Sequence, residues 1–205
     1  LDKSGSSKSK VIEVVAGPNG SGKTTFAESY LLGIKRNLVF LNPDLIASGI
    51  GPLDLEKASF QAGRVMISEI KARISRGENF AFESTLSGRT WAHLLSEARN
   101  AGYTVTFYFL FLDSIQQNVK RIKTRVELGG HHIPKSVVKR RQPRCFENFW
   151  NLYRPLAEDW YILNNSKKKP KLILSKSDFD SISASAQKKF GLEFTEGKFY
   201  GRKSK

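Results

Sequence analysis

Between Ala16 and Phe26 the chain reads AGPNGSGKTTF. Gly17, Gly22, Lys23 and Thr24 satisfy the spacing G-x-x-x-x-G-K-[ST], in which glycines let backbone N–H groups converge on phosphate oxygens at the start of a helix. Residues Gly17, Pro18, Asn19, Gly20, Ser21, Gly22, Lys23, Thr24 and Thr25 are therefore expected to cradle the polyphosphate of ATP, with the Thr24 hydroxyl as a ligand of Mg2+. Lys23 supports the assignment. A lysine in the first turn of a helix opposes the positive end of the macrodipole, so it is locally unfavourable unless an anion is bound there.

Phosphoryl transfer needs two more things: a group that accepts the proton of the attacking hydroxyl, and positive charge where the γ-phosphoryl passes. Asp44 in the turn Asn42-Pro43-Asp44 is placed for the first task, or it caps a helix beginning at Leu45. For the second, Arg125, Arg140, Arg141 and Arg144 are candidates, because a planar guanidinium fork suits phosphate better than an ammonium does; a solvated helix face is the plainer reading. Two carboxylates end apolar stretches, Glu83 after Phe-Ala-Phe and Asp113 after Phe-Leu. Either could hold magnesium through water, and Glu83 could equally partner Arg89. His131 and His132 are adjacent, so their side chains point apart and read as loop residues rather than zinc ligands. The single cysteine, Cys145, has no catalytic histidine motif beside it and reads as packing.

These residues must be positioned by regular elements. Val11–Ala16 is short, β-branched and apolar, a buried strand, and Thr24–Ile34 has helical composition. Leu38–Leu41 is a second strand ending at the Asp44 turn. Leu55–Arg76 is a long helix with Ala62, Val65, Met66, Glu69, Ile70 and Ile74 in a stripe. Asn79–Glu83 is a third strand, Thr90–Ala101 a helix closed by Gly102, and Thr104–Leu112 a buried fourth strand. The alternation predicts an α/β fold, a P-loop NTPase-type three-layer sandwich with a mostly parallel sheet that binds ligands at the carboxyl ends of its strands. Ser114–Leu128 is a basic helix broken by Gly129-Gly130, and Pro134 opens another toward Arg144; this pair forms a helical, arginine-rich lid. Leu156–Asn164 and Lys171–Leu174 supply final short strands. The expected organisation is a disordered basic N-terminus over 1–10, a P-loop kinase domain over 11–175 with its lid at 114–148, and an extension over 176–205 that the pattern does not place.

The chain has 205 residues and a formal charge of +15, with 34 basic and 19 acidic side chains. That excess invites a nucleic-acid reading. Its distribution argues otherwise. Residues 11–119 carry ten basic and ten acidic side chains, whereas 120–144 carry nine basic and one acidic. A nucleic-acid track interleaves aromatics with its cations, and residues 120–144 contain no Phe, Tyr or Trp. A further +7 over 166–205 reads as a solvated turn and tail. The longest apolar stretch, Val105–Leu112, is too short to span a bilayer, and a lone cysteine suits a reducing compartment, so a cytoplasmic enzyme with no membrane partner is expected.

Taken in order, AGPNGSGKTTF, FLNPDLIA, QAGRVMISEI, FAFESTLSG and RVELGGHHIP followed by KRRQPR resemble the zeta toxin family of P-loop kinases, from residue 11 to about 165. The resemblance implies transfer of the ATP γ-phosphoryl to a hydroxyl of a nucleotide sugar, typically the 3′-hydroxyl on the amino sugar of UDP-N-acetylglucosamine. It implies Asp44 as the catalytic aspartate, Lys23, Arg125 and Arg141 as catalytic cations, Asn42, Glu83 and Thr85 as substrate contacts, and a small helical antitoxin as partner. The GGHHIP form of the lid resembles a shorter, standalone branch of the family. A kinase for another hydroxylated metabolite or drug shares the same cradle, and a nucleotide-dependent nucleic-acid binder or kinase is the alternative the basic lid raises.

Overall fold

A computed structural model describes residues 9–31, 33, 38–50, 55–130 and 132–198. Most of the N-terminal segment, the end of the first helix near Ile34, His131 and residues 199–205 lie outside these. Six strands form one sheet in the order β2-β3-β1-β4-β5-β6: β1 (Lys10–Ala16), β2 (Val39–Leu41), β3 (Phe80–Ser84), β4 (Tyr103–Phe111), β5 (Asp159–Asn164) and β6 (Lys171–Ser175). The first five pair in parallel, and β6 returns antiparallel on β5. The P-loop strand is central because its side chains are buried on both faces. Val15 packs with Phe26, Leu31, Ala81 and Leu110 on one side, while Ile12 and Val14 join Phe80, Phe82, Phe107 and Phe109 on the other. Apolar runs without alternation are what a doubly covered parallel sheet requires.

Helices cover both faces. The helix after the P-loop begins at Lys23 rather than Thr24, and stays α-helical only over α1 (Lys23–Phe26) before widening into a π-helical turn, Ala27–Leu31. Then come α2 (Pro43–Ile50), α3 (Leu55–Arg76), α4 (Thr90–Asn100), α5 (Ile115–Glu127) and α6 (Lys135–Asn148). The last runs beyond Arg144 and through Pro143. The reason is packing: Phe146 and Phe149, both fully buried, meet Phe109 edge-on and stacked, with ring centroids 4.9 and 4.4 Å away, which outweighs one lost backbone hydrogen bond.

Residues 176–198, which the sequence pattern leaves unplaced, form α7 (Lys176–Ser181) and α8 (Ala184–Thr195). A capping box holds α7: the Ser175 hydroxyl and Asp178 carboxylate satisfy each other's backbone N–H groups. Phe179 and Phe194 are buried in the main core around Trp150 and Trp160, and the Arg154 guanidinium lies 4.2 Å over the Trp150 ring. Among the described residues no helix is long and apolar enough to cross a membrane.

Candidate active site

The sheet fixes the site's layout. Ala16, the last residue of β1, is in register with Ser84 on one side and Phe109 on the other, so the P-loop leaves the sheet at its centre. Gly17 has φ +142°, and a Cβ there would lie 2.1 Å from the Leu110 carbonyl oxygen. Only glycine lets the loop leave the strand this closely. From the β5 side, Asn165 Nδ2 donates to the Ser21 carbonyl at 2.8 Å, and Arg121 Nη2 donates to the Asn165 carbonyl at 2.7 Å. Asn118 Nδ2 reaches the Asn19 carbonyl, also at 2.8 Å. The cradle is thus braced before any nucleotide binds. Lys23 is 8% exposed, and its Nζ rests on the Pro18 carbonyl at 3.2 Å. A buried ammonium held by one carbonyl leaves donors for an anion.

On the other side of β1 stand the groups from β2 and β3. The Thr24 hydroxyl donates to Glu83 Oε2 at 2.7 Å and lies 3.4 Å from Asn42 Nδ2. Glu83 is only 6% exposed. It therefore sits beneath the Thr24 hydroxyl rather than pairing with Arg89. No cluster of three or more His, Cys, Asp or Glu able to hold a metal exists among the described residues. The Thr24 hydroxyl beside the Glu83 carboxylate is a hard oxygen pair of the kind that suits Mg2+ carried by phosphate oxygens and water.

Asn42, not Asp44, caps the next helix. Its Oδ1 accepts from the backbone N–H groups of Asp44 at 2.8 Å and Leu45 at 3.2 Å. The helix starts at Pro43, whose fixed φ suits a first helical position, so the alternative reading of Asp44 as the cap of a helix beginning at Leu45 does not hold. Asp44 then lies in the first turn with its carboxylate half exposed, 3.2 Å from Arg125 Nη1. Arg125 comes from the far end of α5. The chain turns back on it: Gly130 N donates to the Arg125 carbonyl at 2.9 Å, and a Cβ on Gly130 would lie 2.6 Å from Arg125 Cγ. The Gly129-Gly130 pair is what allows this fold-back.

Thr85 follows β3 in a tight turn, its Oγ1 3.0 Å from Ser87 Oγ. Leu86 holds φ +53°, the one positive value on a non-glycine among the described residues. Such a conformation costs on the order of 1–3 kcal/mol. Burial of Leu86 to 1% exposure and a 2.8 Å hydrogen bond from Asn148 Nδ2 to its carbonyl hold it in place.

Most of these groups line one cleft of about 1090 Å³, whereas Gly17, Pro18, Ser21 and Asn42, all expected at the site, are not among the residues that line it. Asp44, Glu83, Thr85, Lys23, Arg125 and Arg141 meet in it; Arg140 and Arg144 are exposed outside it. Sequence reasoning missed Met66 and Trp91 on the β2–β3 side, and Arg121, Asn165, Lys167 and Lys168 on the β5 side. Arg121 had a signal, since it precedes Arg125 by one helical turn and shares its face. Trp91 and the two lysines had none, because only the folded sheet brings them to the cleft. His132 also lines it, and Cys145 is fully buried, where desolvation pushes its thiol well above the ordinary range. That thiol packs and is no nucleophile.

Comparison with known proteins agrees with this geometry. A search of curated proteins finds an uncharacterized protein of Haemophilus influenzae, 33% identical over 125 residues, covering 61% of this chain and 87% of that one. Among solved structures, the PezAT chromosomal toxin–antitoxin system of Streptococcus pneumoniae superposes with a TM-score of 0.63 at 15% identity, over 93% of this chain and 86% of that one. The AvrRxo1-ORF1:ORF2 complex with ATP superposes with a TM-score of 0.67 at 14% identity, over 91% of this chain and 64% of that one. These likenesses show the fold, an α/β arrangement around a mostly parallel sheet. The model of the family described as zeta toxin matches residues 1–168, most of the chain, and the protein belongs to that family.

Proposed function

We propose that the protein is an ATP-dependent phosphotransferase that moves the γ-phosphoryl of ATP to a hydroxyl of a nucleotide sugar such as UDP-N-acetylglucosamine. The observation that carries this reading is the Asp44–Arg125 contact, which sets a carboxylate and a lid guanidinium beside the cradle of Lys23 and Thr24. The backbone of Asn19–Thr25 and Lys23 bind the β and γ phosphates. Mg2+ would be held by Thr24, with Glu83 ordering its water shell, and supplies charge neutralisation on the phosphates. Asp44 accepts the proton of the acceptor hydroxyl as that oxygen attacks phosphorus, and the ADP oxygen leaves. Arg125 and Arg141 stabilise charge on the transferring group, which requires Arg125 to exchange Asp44 for the γ-phosphate when ATP arrives. The acceptor lies on the β2–β3 side, where Asn42 and Glu83 support the site, Thr85 offers a hydroxyl and Trp91 a flat apolar face. Nucleotide sugar is the acceptor class because the order of motifs follows a family that resembles such kinases.

One structural neighbour belongs to a toxin–antitoxin system and another is the two-component AvrRxo1-ORF1:ORF2 complex, which supports a small helical antitoxin as partner here. ATP and nucleotide sugars place the reaction in the cytoplasm. Nucleic acid is the less favoured substrate, for want of aromatic faces beside the lid cations.

The test is to incubate the protein with Mg2+ and γ-labelled ATP against a panel of nucleotide sugars, free sugars and oligonucleotides. Label on UDP-N-acetylglucosamine is expected. Label on a free sugar or an oligonucleotide alone would retain the kinase and replace the acceptor, and absence of both ATP binding and transfer would overturn the reading.

A further inference from the structure

The helix pair α5–α6 presents two different faces. One sends Arg121, Arg125 and Arg141 into the cleft. On the other, Ile115, Val119, Lys120 and Lys123 of α5 line a groove of about 310 Å³ opposite Lys135 and Lys139 of α6. That groove adjoins a second hollow of about 370 Å³, which shares Ile115, Gln116 and Lys139 with it and has Gln142, Pro143 and Phe146 along its wall; the carboxylates Asp113 and Glu196 also line this hollow, so the unbalanced positive charge lies over the first groove. The positions recur every three to four residues on each helix, so both stripes follow the seam. Ile115 to Lys123 spans about 12 Å of helix, or roughly two turns.

Three features of this seam ask for an occupant. Lys120, Lys123, Lys135 and Lys139 line the first groove with no carboxylate among its lining residues; charges this close repel through less than a Debye length. The pair between Lys123 and Glu127, 4.0 Å apart and exposed, offsets little of that. Lys135 also opens α6, a helix with no acidic residue in its first turn, so it faces the positive end of the macrodipole. Gln142 is 4% exposed, and its Oε1 has no hydrogen-bond partner among the described residues, which leaves a buried acceptor lacking a donor.

We propose that the seam docks an acidic amphipathic helix of a second polypeptide. Its apolar stripe would lie on Ile115 and Val119, and its carboxylates would meet the lysines flanking them, one of them near the N-terminus of α6. Other occupants fit less well. Residues 199–205, FYGRKSK, carry three cations and no carboxylate, the wrong sign for this rim, and a second copy of a +15 chain would bring lysines to lysines. Single-stranded nucleic acid needs open aromatic faces for its bases, and the aromatic residue here, Phe146, is fully buried. The docking surface is separate from the catalytic reading and does not depend on it.

The test uses the full chain as bait for a phage-displayed library of random helical peptides, with Lys120→Glu/Lys123→Glu/Lys139→Glu as counter-bait. None of the three lysines lines the cleft, so ATP binding and melting temperature report whether the variant folds. Recovered peptides should carry net negative charge with apolar residues at i, i+3 and i+4, and should bind the triple variant at least about tenfold more weakly. Lys139→Ala, which removes one charge and adds none, should cost a few-fold. Recovery of no peptide, of peptides without an acidic bias, or of peptides that bind the variant equally well overturns the proposal. So does loss of a labelled single-stranded RNA or of phosphatidylserine vesicles from the triple variant when no acidic peptide is recovered. Deleting residues 199–205 should leave peptide affinity unchanged; a tenfold gain would make that tail the occupant instead and would also overturn the proposal.

Discussion

The two walls of the cleft are built on different principles. On the P-loop wall each functional group is buried and braced: Lys23 is 8% exposed, Glu83 is 6% exposed, and the loop's carbonyls are tied to Asn118 and Asn165. On the lid wall Arg121 and Arg125 are partly exposed and Arg141 is exposed, and Arg125 is held by Asp44 through a contact whose partners are 39% and 47% exposed. A braced wall binds without rearranging, which keeps the cost of ordering low. A loosely held one can follow charge as it develops, which is where transition-state stabilisation is gained. Substitutions on the first wall should therefore act on binding and rate together, and those on the second on rate alone.

The largest effect expected is at Lys23. Lys23→Ala removes the charge on the β and γ phosphates and should lower transfer by about three orders of magnitude or more, with a melting temperature near that of the unaltered chain. A folded variant at normal rate would remove the P-loop wall from the account. Next, Arg125→Ala should lower kcat by about two to three orders of magnitude while KM for ATP moves little. Arg125→Lys should recover only part of that rate, since a point charge does not reproduce the guanidinium fork. A loss confined to KM would place Arg125 in ground-state binding and erase the contrast between the walls.

Smaller effects sharpen the P-loop side. Thr24→Val keeps the shape of the side chain but removes both the proposed Mg2+ ligand and the donor to Glu83. Titration calorimetry should show ATP affinity weakened in the presence of Mg2+ and scarcely changed without it. Asn42→Ala should lower thermal stability by about 0.5–2 kcal/mol through loss of the cap on α2. Denaturant unfolding measures this, and an unchanged midpoint would return the capping role to another residue.

Legibility in the sequence followed the same division. The P-loop, the order of β1 to β5 and the carboxylates at the ends of β2 and β3 could be read, because backbone geometry demands particular residues there: glycine at Gly17, a threonine beside the lysine, β-branched runs in buried strands. The lid was recognisable as basic helices, yet which arginine faces the cleft depends on how α6 rolls against Phe109, so Arg141 could not be separated from Arg140 and Arg144. Trp91, Lys167 and Lys168 reach the site through tertiary placement alone. The cap of α2 could not be assigned between Asn42 and Asp44 because Asn and Asp are about equally good caps, and the two flank Pro43. The C-terminal helices escaped because Phe179 and Phe194 anchor them through sparse aromatic contacts with Trp150 and not through an extended amphipathic stripe.

With Asn42 as the cap, Asp44 can be altered with little structural consequence, and Asp44→Asn isolates its chemistry. Calorimetric titration of ATP and mass-resolved transfer to UDP-N-acetylglucosamine should be measured on the same preparation. If Asp44 accepts the proton of the acceptor hydroxyl, ATP should bind at least as well as before, because the asparagine no longer competes with phosphate for Arg125, and kcat should fall by about two to four orders of magnitude. Near-normal transfer with intact ATP binding would contradict the account.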